Sequence, residues 1–331
     1  MPSPQRKRKV TPFTTLLNFV PYKKPLNYVH SDLKQSTKSS TRSGSNQPTY
    51  RQILSDHNYS LIKSLGSGSY SKVKLAQNSK KTSLKVAVKI VNLSKAPSDF
   101  LKRFLPRELE IWPKIEHQNI IRFFDSFEDS GYVYMILEYA SNGDMLTYIQ
   151  KYGPIPEIQS RGIANQICQA TKYLHDQNIT HRDLKLENLL LDQSNSVKIT
   201  DFSFAKLNPK HDLSRTYCGS KSYASPEILT GEPYDPHKAD VWAIGAIMYI
   251  ICTGKMPFNE NRGLKKILEE QKNLVFPWFR FQLSECFQKL ICCIFTYNYI
   301  KRPSIEVILE SEWLKEKKSS LQSLPDNEKD M

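Results

Sequence analysis

The sequence lacks several features that define other classes of protein. Its six cysteines form no CxxC pair and have no histidine beside them at metal-ligand spacing, which argues against a structural zinc site and indicates reduced thiols in an intracellular protein. The longest apolar stretch, Val241 to Cys252, is too short to span a bilayer and predicts a buried helix. No apolar run follows the N-terminal charges, so we expect neither a signal peptide nor a membrane span.

Acidic residues are scarce near the N-terminus. Residues 1–58 contain ten lysines and arginines but only two acids, Asp32 and Asp56. The segment is rich in Ser, Thr and Lys and shows no sustained period, so we predict a disordered basic extension over residues 1–58. No aromatic-interleaved basic groove or DNA-binding motif accompanies the charge, which favours a solvated tail over a nucleic-acid partner. We expect a cytoplasmic protein, and the run Arg6 to Lys9 leaves nuclear import open as an alternative.

Periodic patterns begin near Tyr59 and change from strand-like to helical along the chain. The predicted elements are the strands Ser60 to Leu65, Lys72 to Gln77 and Leu84 to Val91, the helix Phe100 to Ile115, the strands Ile120 to Phe127 and Tyr132 to Glu138, the helices Met145 to Lys151 and Pro156 to Gln177, and a hairpin of Leu189 to Leu191 with Val197 to Ile199. We therefore predict an α+β fold with a cleft between two lobes. Residues 59–140 would form a small antiparallel β N-lobe with one main helix, residues 141–314 a larger helical C-lobe, and residues 315–331 a charged tail.

The stretch His181 to Asn188, followed by Asp201, carries the side chains that phosphoryl transfer from a metal nucleotide requires. Asp183 can accept the proton of an incoming hydroxyl, and Lys185 can neutralise the migrating phosphoryl group. Asn188 and Asp201 offer the hard oxygen ligands that Mg²⁺ prefers.

Two further features fit a nucleotide, although each has an ordinary structural alternative. The turn Gly66-x-Gly68-x-x-Ser71 lies between two predicted strands, which favours a flap over phosphates rather than a dinucleotide-binding fold. A plain Gly-Ser hairpin is the alternative, because the third glycine is missing. Lys89 lies on an apolar strand and needs a charge partner, which Glu108 and nucleotide phosphates would supply. A surface lysine at a strand end is the alternative there.

The conjunction of these features is far more specific than any one of them. The glycine turn, Lys89, Glu108, the stretch His181 to Asn188, Asp201-Phe202 and Ser225-Pro226-Glu227 follow one another in the order and spacing of the protein-kinase signature set. The chain therefore resembles a eukaryotic protein kinase over about residues 59–314. This resemblance implies the two-lobed protein-kinase fold, ATP and Mg²⁺ as cofactors, and protein substrates.

The resemblance also implies a role for each residue of the cleft. Asp183 is the expected catalytic base with Lys185 beside it, and Asn188 and Asp201 are the expected Mg²⁺ ligands. Lys89 would hold the α- and β-phosphates, Glu138 and Ala140 would offer hinge backbone groups to the base, and Asp144 would bond the ribose. The residues implied to bind the nucleotide are Leu65, Gly66, Ser67, Gly68, Ser69, Tyr70, Ser71, Val73, Ala87, Lys89, Glu108, Glu138, Ala140, Asp144 and Leu190.

By the same resemblance, the acceptor is a serine or threonine hydroxyl of a protein, because serine/threonine kinases carry a lysine at the position of Lys185. Thr216 lies where such kinases are phosphorylated for activation, by another kinase or by autophosphorylation. Arg182 and Lys206 would then form the cationic pocket for the phosphate. An unmodified threonine is the alternative. The resemblance further implies that Glu227 pairs with Arg302 and that Asp240 begins the buried helix that supports the catalytic loop.

Ser203 departs from the kinase pattern, which has glycine after Asp-Phe. The serine adds a β-carbon and a hydroxyl, so it should disfavour backbone states with positive φ, but it removes no ligand. The motifs Phe104 to Glu108, Asp201 to Lys206 and Gly263 to Leu268 resemble the testis-specific serine/threonine kinases, on the calcium/calmodulin-dependent branch. Some members of that family are similar in carrying serine there and still act as kinases. The resemblance implies a role in male germ-cell differentiation.

Two other readings stay open at this point. A pseudokinase scaffold would bind ATP without efficient transfer, and Ser203 together with Ser71 in place of a glycine motivates it. A basic binding protein would use its N-terminal segment to recruit nucleic acid or an anionic surface.

Overall fold

A computed structural model describes residues 49–81, 84–209, 212–259 and 262–315. The predicted disorder of residues 1–48, the basic run Arg6 to Lys9 and the tail after residue 315 lie outside these described residues. The helices and strands are α1 (Tyr50–Asp56), β1 (Tyr59–Ser67), β2 (Ser71–Asn78), β3 (Lys85–Asn92), α2 (Leu105–Ile111), β4 (Phe123–Asp129), β5 (Tyr132–Glu138), α3 (Met145–Tyr152), α4 (Glu157–Asp176), β6 (Ile179–Thr180), β7 (Leu189–Leu191), β8 (Val197–Ile199), β9 (Lys206–Leu207), α5 (Pro226–Thr230), α6 (Pro236–Thr253), α7 (Leu264–Asn273), α8 (Glu285–Ile294), α9 (Ile305–Leu309) and α10 (Glu312–Lys315).

The N-lobe is one antiparallel sheet with strand order β1-β2-β3-β5-β4. Successive side chains of a strand point to opposite faces, and β3 shows the consequence. Val86, Val88 and Ile90 pack into a hydrophobic cluster on one face, whereas Val91 packs into the main core on the other. Lys89 shares the face of Val91, so this alternation directs the lysine to the side of the sheet that carries α2. The predicted α+β architecture, with a β-rich N-lobe and a helical C-lobe, is confirmed.

Helix α1 corrects the prediction that the extension lacks structure through residue 58. Thr49 and Gln52 form a capping box, in which the Thr49 side chain accepts from the backbone of Gln52 and the Gln52 side chain accepts from the backbone of Thr49. Ile53 and Leu54 are buried against the sheet face that carries Val88. The sheet would otherwise expose this apolar face, so burial of the two residues stabilises both the helix and the N-lobe.

The structure also corrects two predicted boundaries. The predicted helix Phe100 to Ile115 is a π-helical turn, Phe100–Phe104, followed by α2 and a 3₁₀ turn, Trp112–Lys114. Pro113 lacks a backbone N–H, which accounts for the end of α2 just before it. The predicted strand from Ile120 begins only at Phe123, because Ile120 pairs with β8 rather than with β5.

In the C-lobe, α6 is surrounded on all sides. Every residue of this helix except Lys238 is buried, which confirms the buried helix predicted over Val241 to Cys252. Beside it, the Arg302 guanidinium donates to both carboxylate oxygens of Glu227 at 2.8 and 3.0 Å, so the predicted ion pair is present. All six cysteines are free thiols. Among the described residues, no helix combines the length and hydrophobicity that crossing a bilayer requires.

Candidate active site

The loop between β6 and β7 is held in place by a buried carboxylate on α6. Arg182 has a φ of +65°, which is unfavourable for a residue with a side chain. Asp240 compensates by accepting hydrogen bonds from the backbone N–H of His181 at 2.9 Å and of Arg182 at 2.8 Å, and it also contacts His175 at 3.1 Å. Burial alone would raise the pKa of Asp240, but the bonds and charges of His175 and His181 outweigh burial and lower it. Asp240 therefore stays ionised and fixes the loop.

Asp183 and Lys185 form the centre of this loop, together with Ser220 from a distant segment. The Lys185 ammonium lies 2.8 Å from Asp183 Oδ2, and Ser220 donates its backbone N–H and its hydroxyl to Asp183 Oδ1 at 3.0 Å each. Burial alone would lower the pKa of Lys185, but the charge of Asp183 outweighs burial and raises it. A carboxylate and a protonated amine thus lie side by side at the base of the cleft.

Gly219 brings the Ser220 segment close enough for these bonds. Its φ is +91°, and a β-carbon at this position would lie 2.6 Å from the carbonyl oxygen of Arg182. Only glycine avoids both the strain and the clash.

Asn188 and Asp201 are placed in a way that suits a magnesium ion. Asn188 donates its amide N–H₂ to the carbonyl of Asp183 at 2.8 Å, and its amide oxygen accepts no hydrogen bond among the described residues. Asp201 has a φ of +65°, and its side chain is 37% exposed. Burial alone would raise the pKa of Asp201, but Lys89 and the Ser203 hydroxyl outweigh burial and hold it well below its ordinary range. One carboxylate and one amide oxygen match the few protein ligands that Mg²⁺ takes beside phosphates and water.

Lys89 connects β3 with α2 and with Asp201. Its ammonium donates to Glu108 at 2.7 Å and to Asp201 at 3.0 Å. Glu108 is fully buried, so Lys89 compensates a carboxylate that would otherwise be costly to ionise. Burial alone would lower the pKa of Lys89, but the two carboxylates raise it above its ordinary value. The predicted Lys89–Glu108 pair is therefore present.

Ser203 contacts all three of these charged groups, which the sequence did not predict. Its hydroxyl lies 2.6 Å from Asp201 Oδ1, 3.2 Å from Glu108 Oε2 and 3.1 Å from the Lys89 ammonium. The φ of Ser203 is not positive, so the backbone penalty expected for a serine does not arise in this conformation.

The residues that the resemblance implies around the adenine, Val73, Ala87 and Leu190, come from both lobes. Val73 pairs with Lys89 across β2 and β3, and Ala87 and Leu190 pack, partly buried, against the main core. Glu138 donates its backbone N–H to the Arg122 carbonyl at 2.9 Å, so its backbone can offer a ligand only an acceptor.

Three further residues of the implied site have partners of their own. Asp144 caps α3 by accepting from the backbone N–H and the hydroxyl of Thr147, both at 2.8 Å, a role that the sequence reasoning missed. At the predicted glycine turn, Gly68 donates its N–H to the Ser71 carbonyl at 2.8 Å. The neighbouring Tyr70 ring packs against Phe100 with centroids 4.8 Å apart. The other turn residues implied to cover the nucleotide are all exposed, namely Leu65, Gly66, Ser67 and Ser69. Ala140, implied to contact the adenine, is partly buried and follows β5 by two residues.

Arg103 contacts Thr216 and belongs to a group of four interacting cations, with Arg107, Arg182 and Lys206, of which the sequence predicted only the last two. Arg103 donates to the Thr216 hydroxyl at 3.4 Å. Burial and the charges of Arg182 and Arg103 lower the pKa of Arg107, and burial, Arg182 and Arg107 lower that of Lys206. The Nη2 atom of Arg182 is buried and has no hydrogen-bond acceptor among the described residues. The i, i+4 spacing of Arg103 and Arg107, which directly precedes Glu108, was the available sequence signal.

Comparison with known proteins agrees with this geometry. The profile of the protein kinase domain matches residues 59–314. Testis-specific serine/threonine-protein kinase 3 of Mus musculus is 40% identical over 265 residues, covering 79% of this chain and 98% of that protein. Testis-specific serine/threonine-protein kinase 1 of Homo sapiens is 41% identical over 273 residues, covering 80% and 74%. Testis-specific serine/threonine-protein kinase 4 of Homo sapiens is 39% identical over 282 residues, covering 80% and 85%. The chain therefore belongs to the protein kinase family and, within it, to the testis-specific serine/threonine kinases.

Proposed function

We propose that this protein transfers the γ-phosphate of ATP to serine and threonine hydroxyls of other proteins, in a Mg²⁺-dependent reaction. The observation that carries the proposal is the contact of Asp183 with Lys185 and Ser220, within a loop that also holds Asn188. Asp183 would accept the proton of the acceptor hydroxyl, and the Lys185 ammonium would offset negative charge beside it.

The residues around this centre would bind and orient the nucleotide. Asn188 and Asp201 would hold Mg²⁺, which when bound neutralises phosphate charge. Lys89 would bind the α- and β-phosphates while Glu108 keeps its ammonium in place. Val73, Ala87 and Leu190 would enclose the adenine, and the turn from Leu65 to Ser71 would cover the phosphates.

The test is phosphate transfer from labelled ATP to a generic basic protein. We expect Asp183→Asn to lower the rate by at least about 10³-fold, because it removes the proton acceptor and its charge. Asp176→Asn is the matched control, since Asp176 is a carboxylate at the exposed end of α4 that pairs with Lys172. An Asp183→Asn variant as active as the control would refute the assignment.

The same preparation separates an active kinase from a pseudokinase scaffold. The scaffold would show thermal stabilisation by ATP without any incorporated phosphate. All the charged and amide side chains of the site are present, and each relative compared above is named a kinase. These two facts support transfer over the scaffold.

We also propose that phosphorylation of Thr216 activates the enzyme, through another kinase or through autophosphorylation. Arg103, Arg107, Arg182 and Lys206 repel one another, and Asp212 offsets the charge of Lys206 only in part. A phosphate on Thr216 would give these cations an anion to bind and would order the segment.

Phosphatase treatment and substitution of Arg103 test this regulation. We expect the phosphorylated enzyme to be several-fold more active than the dephosphorylated one, and Thr216→Ala to abolish the difference. Arg103→Ala should reduce the stimulation. Lys102→Ala, which changes the exposed neighbour of Arg103, should not. Equal activity before and after dephosphorylation would overturn the proposal.

The names of the relatives support a role in male germ-cell differentiation. Disruption of the gene should impair sperm formation and leave other tissues unaffected. We propose a cytoplasmic location, and imaging of the tagged full chain beside a variant without residues 1–48 tests it. A nuclear signal that disappears with the deletion would assign import to Arg6 to Lys9, and salt-sensitive binding to DNA or RNA would instead favour a nucleic-acid partner for this segment.

A further inference from the structure

Ser203 belongs to a cluster of polar groups that joins three separate segments of the cleft. Lys89 comes from β3, Glu108 from α2, and Asp201 with Ser203 from the loop after β8. Only 9% of Ser203 is exposed, so its hydroxyl has little access to water and depends on these partners.

A count of protons shows what the hydroxyl does in this cluster. The Lys89 ammonium has three N–H groups, and its three acceptors are Glu108 at 2.7 Å, Asp201 at 3.0 Å and Ser203 Oγ at 3.1 Å. The hydroxyl has a single proton, and Asp201 Oδ1 at 2.6 Å is a closer acceptor for it than Glu108 Oε2 at 3.2 Å. Ser203 thus accepts from Lys89 and donates to Asp201. A glycine would leave both groups one partner short.

The consequence concerns the orientation of the Asp201 carboxylate. Both donors, Lys89 and Ser203, bind the same oxygen, Oδ1. Two donors fix the rotation of the carboxylate better than one, and they leave the second oxygen free of these bonds. Charge-assisted hydrogen bonds of this kind are short and strong, which agrees with the 2.6 Å contact.

We propose that Ser203 is a positioning residue, whose hydroxyl orients Asp201 for the metal and, through the Lys89 ammonium that donates to both Ser203 and Glu108, links the loop of Asp201 to α2. The metal half of this inference rests on the proposed function as a Mg²⁺- and ATP-dependent kinase. The link to α2 does not, because it is a property of the nucleotide-free protein.

The first experiment measures ATP binding as a function of free Mg²⁺. Ser203→Ala removes the hydroxyl and keeps a β-carbon, so we expect the Mg²⁺ concentration for half-maximal ATP binding to rise about three- to tenfold. Binding of ATP without Mg²⁺ should change less than about twofold. An equal loss in both conditions would reveal a merely structural role, and an unchanged Mg²⁺ dependence would overturn the proposal outright.

Ser225→Ala is the matched control for this measurement. Ser225 is likewise a buried serine at a kinase motif, but its hydroxyl has no hydrogen-bond partner among the described residues. Its removal should leave the Mg²⁺ dependence unchanged. A shift as large as that of Ser203→Ala would show that any serine removal produces the effect.

The second experiment uses the nucleotide-free full chain and therefore does not depend on the proposed function. Thermal unfolding of Ser203→Ala, Glu108→Gln and the double variant forms a double-mutant cycle. If the hydroxyl links the loop to α2, the double variant loses less stability than the two single losses combined. Additive losses would refute the link. A chain that fails to transfer phosphate but gives a non-additive cycle would refute the proposed function and leave the link standing.

Discussion

Two loops of the cleft, residues 181–188 between β6 and β7 (the catalytic loop) and residues 200–205 after β8 (the metal loop), each contain a non-glycine residue with a φ of +65°. These residues are Arg182 and Asp201, but the two loops are held in different ways. The catalytic loop is fixed through its backbone by Asp240, a buried carboxylate on a buried helix. The backbone of the metal loop is also bonded, at Thr200 and Phe204, but its Asp201 carboxylate is held only through side chains, by Lys89 and the Ser203 hydroxyl among the described residues, and stays partly exposed. Backbone bonds inside a core persist with the fold, whereas side-chain contacts at a cleft can break without unfolding. The catalytic loop is therefore a permanent loop, whose support lasts as long as the fold, and the metal loop is a conditional loop, whose Asp201 contacts can break while the protein stays folded.

Removal of the Asp240 carboxylate, which supports the permanent loop, should have the largest effect on stability and on activity. Asp240→Asn leaves one acceptor oxygen for three donors and removes the charge opposite His175, so we expect a loss of about 3 kcal/mol in the free energy of unfolding. Transfer activity should fall with it, because Arg182 can relax from its strained backbone state. Denaturant unfolding and initial rates measure the two effects.

Asp235→Asn is the control for this change. Asp235 is the N-cap of α6 and contacts His237, but among the described residues it has no bond to the catalytic loop. Asparagine is itself a good N-cap, so the loss should stay below about 1 kcal/mol. Equal losses in the two variants would show that α6 alone, and not its bonds to the loop, sets the stability.

As the pH falls, the Glu108–Lys89 pair beside the conditional loop should break before the Asp240 bonds that hold the permanent loop. Burial raises the pKa of Glu108 above its ordinary value, whereas the pKa of Asp240 is lowered by His175 and His181 against its own burial. A carboxyl with a raised pKa takes up its proton first, and this proton breaks the pair with Lys89 without a cost to the fold. A carboxyl with a lowered pKa contributes stability above its unfolded pKa, and that stability is lost only as the pH falls through its folded pKa.

Rates and unfolding midpoints recorded over the same pH series measure this order. We expect transfer to decline at a higher pH than the unfolding midpoint does. Glu108→Gln cannot take up the proton, so its residual rate should lack this decline, while any effect of ATP protonation stays common to both proteins. Coincident declines of rate and midpoint in the natural protein would contradict the difference between the loops.

The sequence predicted the catalytic loop and its buried helix better than the side-chain contacts around Ser203 and Thr216. The reason is the separation of the contacting residues along the chain. The members of the catalytic loop are neighbours along the chain, and an apolar run of twelve residues predicts a buried helix by itself. The contacts of Ser203 with Glu108 and of Arg103 with Thr216 join residues 95 and 113 positions apart, and they depend on side-chain rotamers that no local pattern specifies. Helix α1 had a local signal in Thr49 and Gln52, but its stability depends on an apolar sheet face that becomes visible only in the fold.

The smallest effect should come from Ser203→Gly, which restores the residue of the general kinase pattern. The variant loses the hydroxyl bond to Asp201 but gains backbone freedom at the conditional loop, and these two changes act in opposite directions on transfer. We expect the rate to stay within about tenfold of the natural protein, or about 1.4 kcal/mol in barrier. Ser203→Ala, measured beside it, lacks the hydroxyl without the added freedom, so the difference between the two variants isolates the backbone contribution. A gain far beyond tenfold in the glycine variant would mean that the serine suppresses transfer, and the pseudokinase reading would then explain the conditional loop better than a positioned metal ligand does.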